Sequence, residues 1–208
     1  MPHTAAKTGG HPHPPPRVRK TELAALGLIG WRPMHGYAIS QVFQELGLEH
    51  WTTISRSSIY TALRRLARAG AVSITREKEG GAPERTVYHL TPAGRALLRE
   101  ILLEALGYVG PEDRYFYLGL SFLPAVEAQA ALPVLRDRCA RLEAILVRER
   151  EHKQNLKRNQ PQLEHIVAMV AAGERHMETE LACCQAIIDL LERDPGYLTR
   201  IRETKHAD

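Results

Sequence analysis

The sequence predicts a mainly α-helical protein in which three short helices and a two-stranded hairpin are followed by long helices. Three observations carry that expectation. Apolar residues recur every three or four positions through most of the 208-residue chain. Alternation of apolar and polar residues appears at 71–78, and strand formers return at 86–90 beyond a glycine-proline turn. Two later runs keep an alternating spacing of three and four, as the seam of a coiled coil does. Hydrophobic content of 44% and charge of 25% fit an ordinary globular protein rather than a disordered one. No apolar run approaches the roughly 18 residues that span a bilayer, and the N-terminus lacks an apolar signal core. A soluble, cytoplasmic protein with no membrane partner is expected. Cys139, Cys183 and Cys184 cannot all pair within one chain, so reduced thiols packed as small apolar groups are expected. No ligand spacing recurs among them, and neither a metal nor another cofactor is expected.

Residues 1–20 read as a disordered arm. They hold His3, His11 and His13 among glycines and prolines, with no rigid element to fix a metal geometry. Residues 21–107 then read as one compact unit. Leu23 to Trp31 is apolar nearly all round, which predicts a short buried helix, and Pro33 and Gly36 end it. From His35 onward Ile39, Val42, Phe43 and Leu46 recur at helical spacing, and the second helix stops near Gly47. No nucleophile or partner carboxylate accompanies His35, so it is assigned to the helix start or to packing. Trp51 and Ile54 fill the corner before the third helix.

That third helix, Arg56 to Gly70, puts Ile59, Leu63 and Leu66 on one face and Ser57, Thr61, Arg64 and Arg68 on the other. Ser55 stands where an N-cap would, and Gly70 where a helix ends in the left-handed conformation. A basic, hydroxylic face is by itself only that of a solvated helix. The hairpin that follows changes the reading. Val72 and Ile74 alternate with Ser73 and Thr75, Gly80, Gly81 and Pro83 make the turn, and Thr86 to Leu90 returns. Thr91-Pro92 then caps an amphipathic helix carrying Leu97, Leu98, Ile101, Leu102 and Ala105. Three helices with a hairpin hung on the third form a winged helix-turn-helix, whose third helix enters the DNA major groove while the hairpin reaches the adjacent backbone. The candidate DNA contacts are Ser57, Ser58, Thr61, Arg64, Arg65 and Arg68 on the helix, and Arg76, Lys78 and Arg85 on the wing. Arg17, Arg19 and Lys20 adjoin this unit and could lie along the backbone or in the minor groove.

Three stretches carry a resemblance: Gly-Leu-Ile-Gly-Trp-Arg-Pro-Met-His-Gly-Tyr-Ala-Ile at 27–39, Ser-Ile-Tyr-Thr-Ala-Leu-Arg-Arg-Leu at 58–66, and Val-Tyr-His-Leu-Thr-Pro-Ala-Gly-Arg at 87–95. Together they resemble the PadR family of bacterial transcriptional regulators over 21–100. The resemblance implies a dimeric winged-helix repressor and adds Tyr60, by position, to the DNA-contacting residues. Thr61 departs from the proline usual after that tyrosine, and Ala82 with Glu84 replaces a wing tip that is commonly more basic.

Residues 108–208 read as a helical dimerisation domain. Tyr108, Gly110 and Pro111 mark a hinge, and Tyr115, Phe116, Tyr117, Leu120 and Phe122 form an aromatic cluster that suits core or interface packing better than a ligand pocket. Leu132, Leu135, Cys139, Leu142 and Leu146 make one seam, flanked by Arg136, Arg138, Arg141 and Glu143. Pro133 marks the start of that helix or a kink in it. The second seam is Ile166, Val170, Gly173, Met177, Leu181, Cys184, Ile188 and Leu191, ended by Asp194-Pro195-Gly196. Two such helices expose more apolar surface than they can cover on each other, so the same seam of a second copy is the expected partner. This half resembles, through Leu-Ser-Phe-Leu-Pro at 120–124, the virulence-activator-like helical domain of longer PadR proteins.

The expected function is therefore that of a sequence-specific regulator, a repressor, binding double-stranded DNA as a homodimer on a two-fold operator. One alternative is a sensor whose small-molecule effector, an aromatic acid or a drug-like compound, releases DNA. Another is an interaction protein that does not bind DNA. Enzyme activity is not expected, because no glycine-rich phosphate loop or metal-ligand spacing appears.

Overall fold

In the computed structural model, which describes residues 19–78, 84–110 and 114–207, the first apolar run forms α1 (Lys20–Gly30), with every residue from Leu23 to Ile29 buried. A helix that is apolar all round must sit inside, and this one is central to the fold. After it come β1 (Met34–His35), α2 (Gly36–Glu45), α3 (Leu48–Trp51) and α4 (Arg56–Arg68). His35 begins α2 as its N-cap, Nδ1 accepting from the Ala38 amide at 3.3 Å. The segment read as a bare connection contains α3; Ile54 is buried beyond it, and the Trp51 indole donates to the Leu46 carbonyl at 3.1 Å. Gly70 takes a φ of +77°, the left-handed stop anticipated for α4.

The wing is β2 (Val72–Glu77) and β3 (Arg85–Leu90), antiparallel, with Val72 opposite Leu90 and Glu77 opposite Arg85. A two-stranded sheet is corrected to three strands. β1 pairs with β3 through Met34–Tyr88 and His35–Val87, giving the order β1-β3-β2. Two residues between Pro33 and a helix are too few to display alternation. The wing tip, including Gly80, Gly81, Ala82 and Pro83, lies outside the described residues, as do residues 1–18 of the arm with Arg17.

Next come α5 (Pro92–Leu106), capped by Thr91, and α6 (Arg114–Ser121). The long helices α7 (Ala128–Asn159) and α8 (Glu164–Arg193) lie antiparallel, as the pairs Arg136–Glu192, Arg138–Glu180 and Arg150–Glu174 record. Pro133 lies within α7, which begins at Ala128, rather than opening it. Past Pro195 the chain forms a further helix, α9 (Tyr197–Ala207), whose Leu198 is buried and whose Arg202 grips both oxygens of Glu127 at 2.5 and 2.9 Å.

The core does not break at Gly107. α6 packs on α1 and α5, and the Phe122 ring lies so close to Gly27 that a Cβ there would come within 2.5 Å of it. Arg114 of α6 donates to the Trp51 carbonyl at 2.8 Å. Tyr115, Phe116 and Phe122 are wholly buried, so that much of the aromatic cluster is core. The two seams also need correction. Leu135, Cys139, Leu142, Leu146, Cys184, Ile188 and Leu191 are buried within the single chain, because α7 and α8 cover each other and α5 covers part of α7. Leu132, Ile166, Val170, Met177 and Leu181 stay half-buried, while Val147 and Met169 point outward. Arg138, which its spacing puts on the flank of a seam, is only 1% exposed. Among the described residues no helix is long and apolar enough to cross a membrane.

Candidate nucleic-acid interface

The site begins with the cap of α4. Ser55 Oγ accepts from the Ser58 amide at 3.2 Å and Ser58 Oγ accepts from the Ser55 amide at 3.1 Å. Such a reciprocal cap satisfies two amides that would otherwise lack partners and is worth about 1 kcal/mol. Ile59, Ala62, Leu63 and Leu66 bury the inner face. Ser57, Thr61, Arg64, Arg65 and Arg68 are therefore turned to solvent together, and Arg56 at the first turn joins them.

These residues are not equally available. Thr61 Oγ1 donates to the Ser57 carbonyl at 3.0 Å and accepts from Arg64 at 3.3 Å, which orders the middle of the face. Ser58 is spent on the cap. Arg65 is ion-paired with Glu22 of α1. Tyr60 is half-buried, its hydroxyl donating to the Gly36 carbonyl at 2.5 Å and lying 3.1 Å from Ser40 Oγ. It fastens α4 to the start of α2, which gives Tyr60 a positioning role within the recognition unit.

On the wing, Arg76 lies 3.7 Å from Glu84, Lys78 is exposed at the edge of the described residues, and Arg85 is exposed on β3. Burial pushes the Tyr88 phenol above its ordinary value; Tyr60 adds to this and the Arg64 charge opposes it. Arg19, one of the basic residues that could lie along DNA, reaches across to Glu100 and Glu104 of α5 at 2.7 and 2.6 Å.

Sequence reasoning passed over one part of this surface. Between the start of α2 and β3 lies an open concavity of about 730 Å³ lined by Arg32, Tyr37, Gln41, Arg85 and Thr86. Tyr37 is 71% exposed and stacks on the His35 ring. An exposed tyrosine that shares a concavity with two arginines, at a helix start, supplies a hydroxyl and cations of the kind that meet phosphates. The signal available was the pair Arg32 and Tyr37 on either side of the α2 cap, with Tyr37 on the same polar face as Gln41 and Gln44.

With this geometry in hand, comparison with known proteins is informative. Residues 25–100 match the model of the Transcriptional regulator PadR-like family. The Negative transcriptional regulator PadR of Bacillus subtilis (strain 168) is 26% identical over 129 residues, which cover 62% of this chain and 70% of that protein. The crystal structure of Bacillus subtilis PadR in complex with operator DNA is 21% identical, with a TM-score of 0.39 over 83% of this chain and 99% of that one. The same protein in complex with p-coumaric acid gives 21% identity and a TM-score of 0.36, covering 85% and 97%. Four helices, a wing that follows the fourth and a family model that runs from α1 into α5 agree: residues 25–100 carry a transcriptional regulator PadR-like family domain.

Proposed function

We propose that this chain is a sequence-specific DNA-binding regulator, a repressor, in which α4 enters the major groove and a second copy supplies the other half-site. The observation that carries this is the exposed face Ser57, Thr61, Arg64 and Arg68, held by a capped and packed helix beside a wing. Hydroxyls and arginines on a rigid helix are the groups that reach base edges and phosphates. The repressor assignment draws on the negative regulator from Bacillus subtilis, to which the chain is similar. Cytoplasmic location and the lack of a turned-over substrate follow from that role.

Arg85, Arg32 and Tyr37 would hold the flanking backbone. The wing would contribute less than α4, since Glu84 already neighbours Arg76. For the homodimer, the buried seam residues of α7 and α8 cannot serve, so contact would run through the half-buried Ile166, Val170, Met177 and Leu181 with the exposed Met169. Two copies would read half-sites separated by about one helical turn, roughly 34 Å.

Mobility shift against the DNA upstream of the protein's own gene tests the reading. A salt-sensitive shift with a two-fold footprint is expected. Failure to discriminate any duplex from random DNA would overturn the sequence-specific assignment. Sedimentation tests the dimer, and a monomer at micromolar concentration that binds a two-fold site tightly would overturn that part.

A further inference from the structure

The concavity of about 730 Å³ beside the start of α2 is built from three separate parts of the chain. Arg32 comes from the turn between α1 and β1, Tyr37 and Gln41 from α2, and Arg85 and Thr86 from β3. The β1–β3 register, Met34 opposite Tyr88 and His35 opposite Val87, runs β3 back past the first turn of α2 and brings Arg85 and Thr86 alongside it. Two guanidiniums therefore share one hollow, and among the described residues no carboxylate lines it. Such a place favours an anion, and the planar fork of guanidinium N–H donors matches phosphate oxygens.

Charge alone does not use all that the hollow offers. Tyr37 is 71% exposed, its ring stacked on that of His35 at an interplanar angle of 22° with 6.4 Å between centroids. The His35 ring is itself fixed, because Nδ1 accepts from the Ala38 amide. An aromatic ring backed by a fixed neighbour and open to water is a platform for a further flat ring. Gln41, one turn on along the same face of α2, carries an amide with both donor and acceptor, the pattern that a purine edge matches. A duplex passing this surface presents its phosphates while its bases stay stacked on one another, so it would leave the Tyr37 platform unused. The volume also lies in the range of about 300–1,000 Å³ usual for small-molecule sites.

The geometry points to this concavity as a site for a free purine nucleotide with two or more phosphates, the base on Tyr37 with Gln41 at its edge and the phosphates between Arg32 and Arg85. Binding stands on the hollow alone and does not depend on DNA. Its consequence rests on the proposed role of Arg32, Tyr37 and Arg85 in holding the flanking backbone: a bound nucleotide takes the same cations, so nucleotide and duplex compete.

Calorimetric titration of the full-length chain without DNA decides the matter with three probes: ADP, inorganic pyrophosphate and adenosine. ADP and pyrophosphate carry similar charge, so the difference between them reports the base. ADP is expected to bind saturably, one per chain, about tenfold or more tightly than either pyrophosphate or adenosine. Tyr37→Ala should abolish the preference for ADP while leaving pyrophosphate binding intact, and the double variant Arg32→Ala with Arg85→Ala should weaken ADP and pyrophosphate together by about tenfold or more. All three side chains are exposed, so the variants should keep the parental circular dichroism. No saturable ADP binding at millimolar concentration, equal affinity for ADP and pyrophosphate, or a Tyr37→Ala chain that keeps the preference would each overturn the proposal. Equal affinity would mean a surface for phosphate alone, as a DNA backbone contact requires. Anisotropy of a labelled duplex from upstream of the protein's own gene then reads the competition, and ADP should displace it. If no duplex binds, the DNA-binding reading fails while the nucleotide site stands on the calorimetry. A duplex that stays bound at saturating ADP would overturn the competition.

Discussion

Arg65 on the outer face of α4 is ion-paired with Glu22 on α1, so one of the cations of the recognition surface is held by a carboxylate of the same chain. Pocketed beside them are Ser57, Ser58 and Thr61, which puts Glu22 at the rim of the surface that would face DNA. If Arg65 is restrained in this way, Glu22→Gln should strengthen binding to all duplexes and steepen the dependence of log K on log salt by roughly one unit. Base preference should change little. Fluorescence anisotropy across a salt series reads both quantities, and an unchanged slope would place Arg65 off the DNA path.

Arg64 and Arg68 carry no acidic partner among the described residues, which makes them the free cations at the centre and end of the helix. Alanine at both should reduce the salt slope by about two units if each neutralises a phosphate. If Arg64 reads guanine, its loss costs about 1–3 kcal/mol at one operator position only. Competition with operators altered one base at a time separates the two outcomes. Parental affinity in the double variant would remove α4 from the mechanism.

Much of this surface was legible because its causes are local. A serine cap, an apolar stripe at Ile59, Leu63 and Leu66, and a left-handed Gly70 all act within a few residues, and they fix which side of α4 faces out. What the sequence could not display depends on partners far along the chain. Arg65 meets Glu22, Arg19 meets Glu100 and Glu104, and Arg138 meets Glu180. An arginine near a leucine seam looks solvated until the fold brings a carboxylate and the Phe116 ring to it. The seams illustrate a related point: periodicity shows that a face is buried but not by which element, and much of this one is buried within one chain. Tyr37 was passed over differently, as an aromatic on the polar face it shares with Gln41 and Gln44, outside the apolar stripe that drew attention to α2.

Acid sensitivity should report the ion network of the long hairpin. Lys153 hydrogen-bonds the Glu174 carboxyl and, with Arg150 as the second partner, holds it below its ordinary value of 4.5 despite the opposing effect of desolvation. A carboxyl whose pKa is lower folded than unfolded binds fewer protons in the folded state. Its contribution is therefore present above pH 4.5 and lost as pH falls through the folded value. Glu127 beside Arg202 and Asp194 beside Arg200 are depressed in the same sense, but they persist in a Glu174→Gln variant and cancel in the difference. Denaturant unfolding of parent and variant should converge as pH drops below 4.5. A stability difference that stays constant across that range would mean the ion pairs do not act through Glu174.

The joint between the winged unit and the long helices should prove to be structural. Phe122 lies against Gly27, and Tyr115 and Phe116 are wholly buried beneath α1 and α5. Full burial of one large apolar side chain is worth about 1.5–3 kcal/mol, so a chain ending at Gly107 forfeits several such contributions. It also leaves Ile101, Leu102, Ala105 and Leu106 of α5, all fully buried in the intact protein, without their cover. A fragment ending at Val126 retains α6 and Phe122. It should unfold cooperatively at a higher denaturant midpoint than the fragment ending at Gly107, which should unfold broadly or aggregate. In the full chain, Gly27→Ala forces a Cβ against the Phe122 ring and should cost about 1–3 kcal/mol through overpacking. Equal midpoints for the two fragments, together with a neutral Gly27→Ala, would mean that the winged unit is stable by itself and that α6 merely rests upon it.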